Sequence, residues 1–206
     1  MVSKLESAPR STATRRQTPV WPIAVVVTCV AVVLASTLRL DATQLERLLL
    51  LNRYLARLSF LTFIPIYAAS PLVRWLPGRP TRGLVRIRRS LGLGYALIMA
   101  AHVCAIGAYQ MTAGSESIDI VAGIGGGIGF VLIGALAATS NDNAIRRLGT
   151  RNWKRLHAGA LQWLWVIYAV TYLGRISEGH TEFAPGLVTV FALLALRLSV
   201  RFRARD

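Results

Sequence analysis

Two of the chain's three histidines, His102 and His157, stand inside apolar stretches. No charged residue occurs between Ser90 and Ser115 around the first, and His157 opens an otherwise uncharged run from Leu156 to Gly174. An ionisable side chain at membrane depth is costly and marks a pathway, a relay or a ligand, and imidazole is a common axial ligand of haem iron. Haem asks for such a ligand at a fixed depth, an apolar slot for the ring and cations for its propionates. Arg88 precedes His102 by fourteen residues, which is ~21 Å along a helix and close to a whole number of turns. The pair therefore shares a face at the spacing of two stacked haems. His157 falls near the depth of Arg88, and the matching position at the depth of His102 is Val170 or Thr171, neither of them a normal haem ligand. Arg53 and Arg57 are four apart and share a helix face, level with His102, where they could hold propionates as charge-assisted pairs. Each residue also has a plainer reading. The histidines could be hydrogen-bonded structural groups, Arg53 and Arg57 could snorkel to headgroups, and Arg88 could be a topological anchor.

The elements that must carry these side chains are legible as apolar runs. Of 206 residues, 54% are apolar types, and several runs approach the ~20 residues needed to cross a bilayer as helix. Six helices are predicted, at about 20–38, 48–73, 88–109, 120–138, 153–173 and 183–200. The second carries Pro65 and Pro71, and the fourth begins with Gly123, Gly125, Gly126, Gly127 and Gly129. That glycine segment lacks the Lys-Ser/Thr ending of a phosphate loop and follows no strand, so close helix packing through small residues is expected of it. The segments 76–80 and 139–143 read as turns. Residues 1–17, rich in Ser, Thr and Arg, read as a disordered tail, and 18–206 as one helical domain. The first apolar run, Val20 to Leu38, exceeds the usual core of a cleaved signal peptide and reads as a retained anchor.

Charge placement orients these helices. The net charge is +15, yet 19 of the 24 basic residues fall before the first run, between the second and third, between the fourth and fifth, or after the last. Six of the nine acids, Asp41, Glu46, Glu116, Asp119, Glu178 and Glu182, fall in the other connections. This is the positive-inside asymmetry, and it places both termini in the cytoplasm. It accounts for the basic balance without nucleic acid. Cys29 and Cys104 have no metal-ligand spacing and read as small packing residues.

Three segments carry a resemblance. Arg88-Arg-Ser-Leu-Gly-Leu-Gly-Tyr-Ala-Leu-Ile-Met-Ala-Ala-His102 resembles the third helix of the ferric reductase-like transmembrane family. Ala137-Ala-Thr-Ser140 and the run from Arg146 through Arg-Leu-Gly-Thr-Arg-Asn-Trp-Lys-Arg-Leu to His157 resemble the start of its fifth helix. Asn52-Arg-Tyr-Leu-Ala-Arg57 fits its basic second helix. The resemblance covers about residues 45–200 and is nearest to the MsrQ branch, the haem b membrane subunits of periplasmic methionine sulfoxide reductase systems. It implies an all-α, six-helix bundle in the bacterial inner membrane. His102 would ligate an outer haem iron and His157 an inner one, with Arg88 where larger relatives have another histidine. Arg53 and Arg57 would neighbour propionates. The family usually has a further histidine late in the fifth helix. Here that place reads Ala169-Val-Thr-Tyr-Leu173, and His180 falls in an outer, solvent-facing loop.

The function implied is a transmembrane electron carrier, not the catalytic subunit of its system. Electrons enter from quinol or a flavin reductase and leave to a periplasmic molybdopterin methionine sulfoxide reductase of the MsrP type. Some relatives also bind flavin mononucleotide (FMN). The chain has no Gly-x-Gly-x-x-Gly fingerprint on a strand–helix unit, so a separate donor is required. Two alternatives stand beside this one. The missing late histidine favours a haem-poor scaffold that keeps the fold, and direct ferric-chelate reduction at the outer surface needs no periplasmic partner.

Overall fold

The computed structural model describes residues 19–114 and 120–203, and the expected N-terminal tail lies outside them. Seven α-helices are present among the described residues: α1 (Trp21–Leu38), α2 (Gln44–Trp75), α3 (Arg79–Ala113), α4 (Ile120–Ala138), α5 (Asp142–Leu148), α6 (Thr150–Ser177) and α7 (Ala184–Arg203). A 3₁₀ turn, Thr181–Phe183, leads into α7.

Local chemistry fixes the helix starts. Thr43 and Glu46 close a reciprocal capping box on α2, with Thr43 N donating to Glu46 Oε2 at 2.9 Å and Glu46 N donating to Thr43 Oγ1 at 3.3 Å. At α3 the Thr81 hydroxyl accepts from Gly78 N at 3.1 Å and donates to Leu76 O at 2.7 Å. Asn141 Oδ1 accepts from Ala144 N at 2.8 Å and starts α5. Gly149, at φ 75° and ψ 145°, separates α5 from α6 in a conformation open essentially to glycine alone. The sequence predicts a turn over 139–143, of which Asp142 and Asn143 prove helical. The structure keeps the turn only at 139–141 and starts the seven-residue α5 within it, and the axis bends by 106° between Gly123–Ala138 and Asp142–Leu148.

The helices form a bundle. The antiparallel α2–α3 pair makes its most extensive contact, α1 packs on both, and α4, α6 and α7 complete a ring from α3 back to α2. α1, α2, α3 and the Thr181–Val200 segment are each long and apolar enough to cross a membrane, and α4 with α5 qualifies as a bent pair. Large apolar side chains cover the outside: Val131 is 73% exposed, Val188 67% and Leu61 63%. Polar groups turn inward, as a bilayer solvent requires. The chain is an integral membrane protein. α6 has 28 residues, ample length for a crossing. Its hydropathy is diluted by groups that serve the interior. Tyr67 donates to Gln162 Oε1 at 3.2 Å, and Trp165 donates to the Val190 carbonyl at 2.8 Å.

The centre holds Phe63, Ile66, Tyr67, Tyr95, Ile133, Leu161, Leu164 and Leu193, and a second cluster joins Val26, Leu55, Ile98 and Ala105. Without a hydrophobic drive between helices in lipid, close van der Waals contact holds them together. Of the glycines on α4, Gly129 makes the close approach, since a Cβ there would lie 2.7 Å from Ile167 Cδ1, whereas Gly125, Gly126 and Gly127 have open space. Gly94 does the same between α3 and α1, where a Cβ would meet Val26 Cγ2 at 2.9 Å. Val26 is buried and β-branched, so its χ1 cannot swing aside in a helix. Gly94→Val is therefore expected to lower stability by about 1–3 kcal/mol through overpacking. Thermal unfolding in detergent measures it, and Val26→Ala should restore much of the loss. An unchanged midpoint for Gly94→Val alone contradicts the contact.

Candidate functional site

The helix ends that carry the arginine-rich connections make up the basic end of the bundle. There α2, α3, α4, α5 and α6 enclose a cavity of about 310 Å³, at the small end of ordinary cofactor sites. Phe63, Ile66, Ile133, Leu136, Leu161 and Leu164 give it apolar walls, and Arg88, Arg89, Tyr95, Ser140, Trp153 and His157 supply its polar edge.

Each polar member has a structural cause. Arg88 Nε donates to the Ile66 carbonyl at 3.1 Å and NH1 to Ser70 Oγ at 2.9 Å. Pro71 stands inside α2 and leaves the Tyr67 carbonyl without its helical N–H, one residue beyond the Ile66 carbonyl that Arg88 reaches. Arg88 is thus tied to α2 and not extended to headgroups. Arg89 Nε donates to the Ser140 carbonyl at 2.6 Å, and NH1 pairs with Asp142 at 3.0 Å. From the opposite side Trp153 Nε1 donates to the Thr139 carbonyl at 3.0 Å. The α4–α5 corner is therefore pinned by α3 and α6, and it closes one side of the cavity.

His157 stacks on Trp153 with ring centroids 4.2 Å apart. Its Nε2 lies 3.5 Å from Thr139 Oγ1. The Thr139 proton goes to the Ala135 carbonyl at 2.7 Å, so the hydroxyl can only accept from His157, and at a distance where a hydrogen bond is weak. The imidazole is held in place by its neighbour ring while Nε2 stays loosely engaged. Among the described residues no group of three or more His, Cys, Asp or Glu could hold a bare metal ion. A haem would ask the protein for an imidazole, an apolar slot and cations. Arg88 and His157 line one apolar cavity and are the residues that would hold such a group.

Above the cavity the interior carries a directed hydroxyl chain. Ser59 Oγ donates to the Ala56 carbonyl at 2.7 Å, so it accepts from Tyr168 OH at 2.9 Å. Tyr168 in turn accepts from Tyr95 OH at 3.1 Å. Tyr95 lines the cavity and sits seven residues from both Arg88 and His102 on α3.

His102 is at another level and does not line this cavity. Its Nδ1 is buried with no hydrogen-bond partner, and the nearest ring is Phe130, with centroids 6.5 Å apart. A buried imidazole nitrogen without a partner costs free energy unless something binds it. Arg53 and Arg57 lie exposed on α2, with Arg57 over the Tyr54 ring at 5.9 Å. Val170 and Thr171, the positions matched by spacing to an outer ligand on the fifth predicted helix, both face outward. The inward position there is Tyr168. His180 is exposed beside Glu182 at 3.1 Å. The structure thus joins Arg88 and His157, and leaves His102, Arg53 and Arg57 outside that cavity.

Arg89, Trp153, Tyr95 and Tyr168 were not singled out from the sequence. For Tyr95, Trp153 and Tyr168 the signal was available as spacing. Trp153 is four residues before His157 and Tyr168 eleven after it, both close to whole turns.

Comparison with known proteins gives two findings. Residues 55–172 match the family described as ferric reductase like transmembrane component. The chain is also 31% identical over 150 residues to the magnetosome protein MamZ of Paramagnetospirillum magneticum (strain ATCC 700264 / AMB-1), a match covering 70% of this chain and 22% of that protein. The chain thus spans about a fifth of the length of this curated relative. No solved structure matches it.

Proposed function

Because the chain belongs to the ferric reductase like transmembrane component family, we propose that it is a haem b electron-transfer subunit that carries electrons across the membrane. The observation behind this reading is the cavity at the basic end, where His157 and Arg88 share apolar walls. Bound haem b would supply one-electron redox chemistry there. The chain's own residues do the rest. His157 offers Nε2, Trp153 fixes its ring, Arg88 presents a guanidinium, and the leucine and isoleucine walls exclude water.

In this reading α1, α2, α3, the α4–α5 pair, α6 and α7 are six crossings of a bacterial inner membrane, with the basic end in the cytoplasm. The finer assignment is to the MsrQ branch. Quinol or a flavin reductase delivers electrons, and a periplasmic molybdopterin methionine sulfoxide reductase of the MsrP type receives them to repair oxidised methionines. His102, with its partnerless Nδ1, would be the second imidazole to hold haem, toward the opposite leaflet.

A pyridine haemochrome assay on detergent-purified protein tests the reading. A reduced b-type spectrum is expected, and His102→Ala is expected to lower the haem content without loss of the folded protein. A colourless, folded wild type sinks the carrier function. Unchanged haem content in His102→Ala removes the second site. One observation favours the scaffold as a second reading. No histidine lies between Ala169 and Leu173, and Val170 and Thr171 face away from the bundle.

A further inference from the structure

On the other side of Arg88 lies a second, polar cavity of about 210 Å³ between α2, α3 and α7. Three arginines line it, Arg74 from α2, Arg88 from α3 and Arg197 from α7, together with Ser70 and Tyr67. Like charges gathered this closely repel one another, more so away from bulk water. Among the described residues the ion pairs are Arg89–Asp142, Arg175–Glu178 and His180–Glu182, so none of the three arginines has a carboxylate partner.

Ordinary anchoring explains only part of this. Arg74 stands in the last turn of α2, where the helix dipole favours a cation. Arg197 is different. It is only half-exposed and turns inward, with its guanidinium 4.9 Å from the Tyr67 ring centroid. Arg88 also points inward, bonded to the Ile66 carbonyl and Ser70. Two arginines that could reach toward headgroups instead converge on one space. Ser70 Oγ accepts from Arg88 at 2.9 Å and keeps a proton to donate. The Tyr67 proton is already committed to Gln162.

We propose that this cavity binds a phosphate group, held by the guanidinium forks of Arg74, Arg88 and Arg197 with the Ser70 hydroxyl as a further donor. Guanidinium matches the several acceptor oxygens of phosphate in paired hydrogen bonds. The bearer of the group is either an acidic phospholipid or a soluble phosphate compound. Basic pockets between helices at a membrane interface are suited to anionic headgroups. The site stands on residues of its own, apart from Arg88, and does not depend on haem binding.

The test uses full-length, delipidated protein in detergent, with and without haem. Saturable binding of dioleoylphosphatidylglycerol, of dioleoylphosphatidylcholine and of inorganic phosphate is followed by thermal shift and native mass spectrometry. The wild type is compared with Arg74→Gln/Arg197→Gln and with Arg74→Lys/Arg197→Lys. At about fivefold per arginine, the Gln pair should weaken binding ~25-fold, and the Lys pair should fall between it and the wild type. Saturable binding of phosphatidylglycerol alone assigns the group to a lipid, and equal response to inorganic phosphate assigns it to a soluble compound. Wild-type affinity in the Gln pair, or no saturable binding of either anion, overturns the site. If the Gln pair fails to fold, wild-type affinity in the Lys pair overturns it equally. A haem-free protein that still binds phosphate separates this result from failure of the carrier reading.

Discussion

His157→Ala is expected to abolish, or at least halve, the haem content of the purified protein while membrane insertion and yield stay intact. The argument is geometric. His157 is the imidazole that lines the cavity at the basic end, its ring is braced by Trp153 at 4.2 Å, and its Nε2 has only a 3.5 Å contact with Thr139. The side chain is half-exposed, so truncation leaves no deep packing defect, and the helix gains alanine's better propensity. Loss of haem without loss of fold is therefore the signature of a ligand. Trp153→Ala offers a graded comparison, because it frees the ring without removing the nitrogen. That variant should retain haem with a broadened or shifted spectrum. Unchanged haem stoichiometry in His157→Ala rules out the ligand role and leaves His157 as a packing residue of the α4–α6 contact.

Arg88→Leu should be the second large effect, and it acts on stability first. Two charge-assisted hydrogen bonds tie Arg88 to the Ile66 carbonyl and to Ser70. Losing them is expected to lower stability by about 2 kcal/mol, a fall of roughly 4–8 °C in the unfolding midpoint for a chain of this size. Lysine keeps the charge and cannot make the same fork, so Arg88→Lys should recover only part of the loss. A double-mutant cycle with Ser70→Ala isolates the side-chain bond from the bond to the backbone. An Arg88→Leu midpoint equal to the wild type contradicts the tie to α2 and returns Arg88 to the status of a topological anchor. Haem content in the same samples reports separately whether the guanidinium serves a cofactor.

These two residues show where linear reading works. Fourteen residues separate Arg88 from His102, and helical periodicity alone places them on one face at different depths. The helix extents are similarly local. The first and fourth apolar runs match α1 and α4 within a residue, because local apolar composition sets them. α3 begins nine residues earlier than expected, since Arg79–Ile87 is polar in sequence yet helical once Gly78, Pro80 and Thr81 start it.

The pairing of helices was not local. Nothing in the chain's order says that Arg88 meets Ser70, that Arg89 meets Asp142, or that Tyr95, Tyr168 and Ser59 share one hydroxyl chain. Spacing along the fifth predicted helix pointed to Val170 and Thr171, while packing turned both outward and brought Tyr168 to the interior. Likewise Arg53 and Arg57 share a face by periodicity, and that face lies exposed.

Sequence alone therefore determined the membrane class, most of the long apolar helices, the placement of basic connections and the shortlist of His102, His157, Arg88, Arg53 and Arg57. These follow from hydropathy, charge and a fixed helical repeat, all properties of consecutive residues. Tertiary structure decided which members of the shortlist meet, because rotation of each helix about its axis is set by contacts between distant segments. Gly94 against Val26, Gly129 against Ile167 and Arg88 against the Ile66 carbonyl and Ser70 are the contacts that fix those rotations.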